Sequence, residues 1–345
     1  MTNMKNLKFQ NLKKTYIIAE AGLNHNGSID IAKQLIDVAA LSGVDAVKFQ
    51  KRTVDELATK ETLDKLDDRF PSFGNTYREI REFLEFNSEK YRELKNYTEI
   101  KGLDFMVTAF DINAVDFLEE IDVQYYKLAS HSLTNIELLK YISLINKPII
   151  LSTGMSNIDE IETALNIFKN AKTEIAIMHC ISSYPTPINQ CNLSLINTLI
   201  QKFDITVGYS GHELGYLPTL VAVSRGAKII ERHFTLNKNM VGFDHKISLE
   251  PDELINMVRD IRLVEESIGN GQKNISETEW ITRNKYHVSM TSLIDIPIGS
   301  ILTYDMVTYK NPGTGIPHKR SGEIIGKKAN CNILANQLLT LEMFS

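Results

Sequence analysis

Residues 205–233 read ITVGYSGHELGYLPTLVAVSRGAKIIERH. Residues 205–209 form a short apolar run rich in β-branched and aromatic side chains, 215–224 carry a helical apolar pattern, and 228–233 form a second short run. A strand, a helix and a strand make a crossover unit, so the two strands are parallel. Polarity in this unit falls at the strand ends. Ser210 and His212 follow the first strand, and Glu231 and His233 end the second. Residues two apart on a strand share a face, so each strand sends a polar pair to one side.

The same unit recurs upstream. Apolar runs at 16–19, 46–49, 105–108, 124–129, 148–152 and 175–179 are mostly separated by one amphipathic helix, as at 29–42, 112–120 and 157–171. About eight such units are what a closed (β/α)₈ TIM barrel requires. An open doubly wound sheet is the rival α/β fold, but its GxGxxG fingerprint is absent after the first strand. Residues 55–97 are a long insertion between the second and third strands, and a helix over 251–267 closes the barrel. The stretch that follows is small, polar and turn-rich. Beyond it, short apolar runs at 288–293, 301–303, 306–309 and 331–334 are broken by Gly299, Pro312 and Gly315. The expected organisation is a barrel over 1–268, a linker over 269–284 and a β-rich domain over 285–345. A domain that small buries little core alone and is expected to lean on another surface.

Bulk properties narrow the function. A net charge of −5 argues against a nucleic-acid partner, which calls for a basic face. It leaves room for an anionic substrate in a local cationic pocket. The three cysteines, Cys180, Cys191 and Cys331, include no CxxC pair, so neither a disulfide framework nor a zinc site is suggested. The start of the chain, MTNMKNLKFQNLKK, is polar without an apolar signal region, and no apolar run is long enough to span a bilayer. The expectation is a soluble, cytoplasmic protein without a membrane partner.

Barrel active sites lie at the C-terminal ends of the strands, and here those ends are polar throughout. Glu20 follows the first strand, and Lys48 and Gln50 end the second. Thr108 ends the third, Lys127 and Ser130 the fourth, Ser152 and Thr153 the fifth. Ser182 and Tyr184 follow the sixth. Singly, each has a plain structural reading: a serine after a strand caps a helix, and a lone histidine is usually a hydrogen-bonded core residue. Together, they would leave unpaired buried charges unless they served a ligand. Lysines and hydroxyls suit the phosphate and carboxylate of phosphoenolpyruvate. Two imidazoles, with water and substrate oxygens completing the shell, suit Mn²⁺ or a similar ion that polarises an aldehyde. Glu20 is placed to act as base on a water.

The segments IAEAGLNHNG (18–27), VKFQ (47–50), YKLAS (126–130), LSTGM (151–155), SYPTP (183–187), VGYSGH (207–212), IERHFTL (230–236) and DHKISLEP (244–251) resemble the sialic acid (nonulosonate) synthase family. DIPIG (295–299), NPGTGI (311–316) and IGKKA (325–329) resemble that family's antifreeze-like SAF domain. The resemblance covers nearly the whole chain. It implies a (β/α)₈ barrel with a C-terminal SAF domain, in a domain-swapped homodimer whose small domain covers the partner's barrel mouth. It implies Mn²⁺, or Mg²⁺ or Co²⁺, at His212 and His233. Phosphoenolpyruvate would be bound by Lys48, Thr108, Lys127, Ser130, Ser152, Ser182 and Ser210. Glu20 would be the catalytic acid/base, and Gln50, Tyr184, Glu231 and Asp244 would face the sugar. The product would be a nine-carbon 2-keto acid, formed with C–O cleavage of phosphoenolpyruvate. Two positions depart from the family pattern: Ser130-His131-Ser132 stands for Ser-Gly-Glu, and Asn311 for the arginine of Arg-Pro-Gly. Gly211 and the region around Leu84 and Phe86 look like the animal subgroup, which favours N-acetylmannosamine. A 2,4-diacetamido hexose giving a legionaminate- or pseudaminate-type product stays open. The rivals are a Schiff-base aldolase with Lys127 as nucleophile, and a catalytically degenerate barrel that binds a glycan.

Overall fold

The computed structural model describes residues 9–345; the first eight residues of the polar N-terminal stretch lie outside them. Two compact units divide after Gly269.

The first unit is a closed barrel of eight parallel strands in sequence order. They are β1 (Tyr16–Gly22), β2 (Ala46–Lys51), β3 (Asp104–Ala109), β4 (Tyr126–Leu128), β5 (Ile149–Ser152), β6 (Ile175–Cys180), β7 (Thr206–Gly211) and β8 (Ile229–His233). Helix α1 (Ile29–Ser42) returns the chain from β1 to β2. The insertion holds α2 (Val54–Leu57), α3 (Lys60–Leu63), α4 (Tyr77–Leu84) and α5 (Ser88–Ile100). One helix follows each later strand: α6 (Ile112–Glu120), α7 (Ile136–Ser143), α8 (Ile158–Ile167), α9 (Leu195–Phe203), α10 (Leu217–Ser224) and α11 (Pro251–Ile268). Several start on side-chain caps placed at the strand ends. Asp111 accepts from the Ala114 amide, and Asn157 and Glu160 form a reciprocal capping box.

Strand periodicity sorts the side chains into two cores. Ile17, Val47, Val107, Leu151, Ile177, Val207 and Ile230 face outward and are buried against the helices. Tyr16, Ile18, Ala46, Met106, Ile150, Ala176, Met178 and Ile229 fill the barrel interior. Two residues further along each strand, the interior turns polar. Glu20 lies above Ile18, Lys48 above Ala46, Thr108 above Met106, Ser152 above Ile150, and Glu231 above Ile229. The apolar layer is a floor, and the polar layer lies at the C-terminal mouth. Glu20 sits within β1, rather than after it.

The insertion packs over this mouth. Ile80 and Leu84 of α4 are buried with Leu23, against Phe70, Phe73 and Phe243. Among the described residues, no helix is long and apolar enough to cross a membrane.

The second unit opens on α12 (Glu277–Tyr286), a helix with a Ser276–Glu279 capping box. Much of the stretch expected as a linker over 269–284 is therefore helical. The unit's regular sheet is one antiparallel pair, β9 (Ser289–Ser292) and β10 (Val307–Lys310). The expected strands at 301–303 and 331–334 reduce to single bridges, Ile301–Lys328 and Ile296–Ile333. The unit has a small core of its own, built from Met290, Ile296, Leu302, Ile316, Ile324, Ile333, Leu339 and Phe344.

Candidate active site

A cavity of about 320 Å³ opens at the C-terminal ends of the barrel strands, and the candidate residues singled out in the sequence line it, except Thr153, whose hydroxyl donates to the Met178 carbonyl at 3.0 Å. Its base is an ionic ring. Lys48 on β2 pairs with Glu20 on β1 at 2.6 Å, donates to Thr108 on β3 at 2.6 Å, and lies 3.7 Å from Glu231 on β8. Lys127 on β4 lies 3.7 Å from the same Glu231 oxygen and donates to Ser152 on β5 at 2.7 Å. Ser210 on β7 donates to the other Glu231 oxygen at 3.2 Å. Gln50 donates to Glu20 at 2.5 Å.

These charges are buried, and burial sets much of their chemistry. Lys48 and Lys127 are each 2% exposed. Burial pulls the Lys127 ammonium below its ordinary pKa, and Lys48 adds to this, while Glu231 opposes it. Burial alone would raise the Glu231 carboxyl. The two lysines and the two neighbouring histidines outweigh it and hold the group at about 2. Glu231 is thus a fixed anion between two cations. Burial pushes the Cys180 thiol up, which disfavours a thiolate at the cavity wall.

Two glycines make the geometry possible. Gly22 takes a left-handed φ of +53°, and a Cβ there would crowd the Gln50–Glu20 bond from both sides at 3.2 Å. A Cβ at Gly154 would collide with the Ser130 and Ser182 hydroxyls. The Gly154 amide donates to Ser130 at 3.0 Å. Ser130, Gly154 and Ser182 therefore form a compact polar cradle beside Lys127 and Ser152, of a size and donor content suited to a phosphate or carboxylate.

His212 follows β7 and His233 ends β8, with ring centroids 5.5 Å apart. His212 Nδ1 lies 2.8 Å from the Ile181 carbonyl, which fixes the donor on that nitrogen and leaves Nε2 with its lone pair. Burial, and then His233, lower the His212 pKa to about 3, so the ring is neutral. His233 Nδ1 is buried without a hydrogen-bond partner, 3.8 Å from Asp244. Among the described residues, no group of three or more His, Cys, Asp or Glu side chains is arranged to hold a metal. Two imidazole rings, one with an orphaned nitrogen, and an adjacent carboxylate nonetheless fit part of a shell that water and substrate oxygens complete. Tyr184 stacks on His212 at 4.1 Å.

The sequence reading missed the outer wall. Arg52, Arg81, Phe110, His131 and Phe243 also line the cavity. Arg52 lies just beyond β2, and the packing of α4 places Arg81. His131 stacks with Phe110 at 4.8 Å. Ser132, one of the departing positions, is buried outside the cavity lining, and its hydroxyl has no hydrogen-bond partner. His25, within the NHNG stretch, is structural. It stacks on Phe86 at 4.3 Å, accepts from the Gly27 amide, and is held neutral by burial.

The chain is similar to known proteins over nearly its full length. It is 40% identical to the N,N'-diacetyllegionaminic acid synthase of Campylobacter jejuni, over 95% of this chain and 99% of that protein. It is 37% identical to the human N-acetylneuraminate-9-phosphate synthase, over 91% of this chain and 88% of that protein. A crystal structure of the N-acetylneuraminic acid (sialic acid) synthetase of Leptospira borgpetersenii superposes with a TM-score of 0.68 at 34% identity, over 78% of this chain and 90% of that one. Residues 294–345 match the SAF domain. With a match to the NeuB family over residues 35–273 of a barrel whose strand ends all converge on one polar cavity, the chain belongs to the NeuB family.

Proposed function

We propose that this chain is a nonulosonate synthase that condenses phosphoenolpyruvate with an N-acetylated amino-sugar aldehyde, N-acetylmannosamine in the first instance. The products are a nine-carbon 2-keto sugar acid and phosphate. One observation carries the reading: two buried lysines and a hydroxyl cradle stand within the same small cavity as the Lys48-paired Glu20. The family's named relatives, synthases of sialic, legionaminic and pseudaminic acids, support it.

Lys48, Lys127, Thr108, Ser130, Ser152, Ser182 and Ser210 hold the phosphate and carboxylate of phosphoenolpyruvate. His212 and His233 would hold Mn²⁺, or Mg²⁺ or Co²⁺, which would supply Lewis-acid polarisation of the aldehyde. Gln50, Tyr184, Glu231 and Asp244 orient the open-chain sugar so that its aldehyde carbon meets C3 of phosphoenolpyruvate. A carbon–carbon bond forms there, and the aldehyde oxygen takes up a proton. Water adds to the electron-poor C2, and Glu20 accepts its proton. The tetrahedral adduct then expels phosphate by breaking the C2–O bond, leaving the 2-keto group. The domain-swapped homodimer implied by the resemblance belongs to this proposal.

The Campylobacter relative favours a second reading for the sugar, a 2,4-diacetamido hexose. The lowered pKa of Lys127 is a property that a Schiff-base aldolase also uses. The test is consumption of phosphoenolpyruvate with Mn²⁺ across a panel of amino sugars, alongside borohydride treatment with pyruvate. Consumption with a 2-acetamido sugar and no adduct is the expected result. A covalent adduct on Lys127, or no consumption with any sugar, overturns the proposal.

A further inference from the structure

The loop from β8 to α11 brings Asp244 to the cavity, yet over residues 236–248 its regular structure is one short 3-10 turn, His245–Ile247. Among the described residues, no hydrogen-bond donor holds the Asp244 carboxylate. His233 Nδ1, at 3.8 Å, is beyond that reach. The aim of Asp244 is therefore set by the backbone it rides on.

That backbone is held from the turn after β1, Asn24-His25-Asn26. Asn26 Nδ2 donates to the Val241 carbonyl at 2.9 Å, and Asn26 Oδ1 lies 3.2 Å from His245 Nε2. An amide oxygen only accepts, so Nε2 carries the proton and donates. His245 Nδ1 lies 2.7 Å from the Thr235 hydroxyl. One side chain, Asn26, thus grips the loop on both sides of Asp244. Asn24 adds a second grip. Its Nδ2 donates to the Phe234 carbonyl at 2.8 Å and to the Ser248 hydroxyl at 2.9 Å, and Ser248 donates to the Asp244 carbonyl at 2.6 Å. Gly242 lies against the first grip, where a Cβ would meet the His245 ring at 2.7 Å and Asn26 Oδ1 at 2.9 Å.

Asn24, Thr235, His245 and Ser248 are each at most 1% exposed. Of the buried side-chain polar atoms in this set, only Asn24 Oδ1 lacks a partner among the described residues. A buried network satisfied to this degree specifies one arrangement, because another would strand desolvated donors and acceptors. The barrel closes without it, since β1 and β8 already pair from Tyr16–Ile229 to Glu20–His233. What the network fixes is the stretch between its grips, and Asp244 lies there.

We propose that Asn26 and His245 are positioning residues: a latch, backed by Asn24 and Ser248, that holds the β8–α11 loop so that Asp244 meets the sugar beside His233. The inference rests on the synthase reading above, in which Asp244 orients the sugar.

The experiment opens the latch from two sides in the full chain. Asn26→Gly removes both Asn26 bonds and keeps the left-handed backbone there, whose φ is +49°. Gly242→Ala drives a methyl group against the pair. Asn26→Asp keeps the acceptor for His245 and loses the donor to Val241. Circular dichroism and melting check each fold. Hydrogen exchange over residues 236–248 and calorimetric binding of phosphoenolpyruvate are then measured. Kinetics follow with Mn²⁺ and N-acetylmannosamine, or with the 2,4-diacetamido hexose if wild type uses that instead. In Asn26→Gly and Gly242→Ala, exchange should quicken over 236–248 and not in the barrel strands. The kcat/KM for the sugar should fall about 10²-fold while phosphoenolpyruvate binds as in wild type. Asn26→Asp should recover part of the loss. In an Asp244→Ala background, Asn26→Gly should cost little more, because the latch acts through Asp244. An equal further loss in that background overturns the proposal, as does a parallel loss of phosphoenolpyruvate binding. Wild-type exchange and kinetics in both variants, or loss of the fold in both, overturn it too. Faster exchange confined to 236–248, with no phosphoenolpyruvate consumed by wild type with any sugar, keeps the latch and sinks the synthase reading instead.

Discussion

Glu231 and Arg232 are neighbours on β8, yet they face opposite sides of the barrel wall and do opposite kinds of work. Arg232 points outward and is 1% exposed, against a Glu213 that is fully buried. It donates to the Glu213 carboxylate, to Thr219, and to the Glu213 and Gly215 carbonyls, while Tyr209 donates to the remaining Glu213 oxygen. That cluster leaves only Arg232 Nε without a partner and ties β7 and β8 to the start of α10. Glu231 points inward and shares one oxygen between Lys48 and Lys127, each at 3.7 Å. Its contacts are longer and face a cavity. The outer pair spends most of its hydrogen-bonding capacity in the fold, Arg232 Nε excepted; the inner set keeps capacity for a ligand. One wall thus separates stability from chemistry by strand periodicity alone.

The largest expected effect breaks the inner set. Glu20→Gln keeps the shape of the side chain and removes the base. Turnover should fall roughly 10²–10⁴-fold, with the far-UV circular dichroism and a cooperative melt retained. A variant with wild-type turnover would remove Glu20 from the mechanism. The outer pair is broken by Arg232→Met, which strands the Glu213 carboxylate in the core. The expected cost is about 3–5 kcal/mol of stability, read by urea unfolding. Adding Glu213→Leu should recover much of it, because an apolar pair of similar volume carries no unpaired charge. A single variant as stable as wild type, or a double variant no better than the single, would show that the pair does not act as a unit.

The same separation explains what could be read from sequence. Along strands, period two is rigid, so polar residues at the end of every apolar run had to converge once the barrel closed. Glu20, Lys48, Thr108, Ser152 and Glu231 were legible for that reason. The outer wall was not. Arg52 follows its strand, and Arg81 sits on α4, whose docking depends on Ile80 and Leu84 packing against Leu23 and Phe243. Neither has a local pattern that fixes its direction. Arg232 carries no local signal in the sequence, and only its buried partner Glu213 shows its role. In the C-terminal unit, Ser276 and Glu279 were a capping signal. It was obscured because α12 buries no residue, so no apolar stripe marks the helix.

The smallest effect sharpens the comparison at the other end of the barrel, where an inward-facing carboxylate has no lysine. Asp104, at the start of β3, accepts from Tyr16 at 2.7 Å, and Asp45 lies close enough to repel it. Burial, with Asp45 adding to it, raises its pKa from 3.8 to about 6. A raised folded-state value means that the native protein holds the proton more tightly than the unfolded chain. The stabilisation is complete below pH 3.8 and is lost as pH rises through about 6. At pH 7.5 the charged carboxylate is therefore a net cost. Asp104→Asn keeps an acceptor for Tyr16 and removes that charge. It should be more stable than wild type at pH 7.5 by up to about 2 kcal/mol, and the gain should vanish near pH 4. The measurement is urea unfolding of both proteins at each pH. A difference that stays constant across this range would mean that Asp104 does not titrate between 3.8 and 6. The contrast between a paired anion at the mouth and an unpaired one at the floor would then fail.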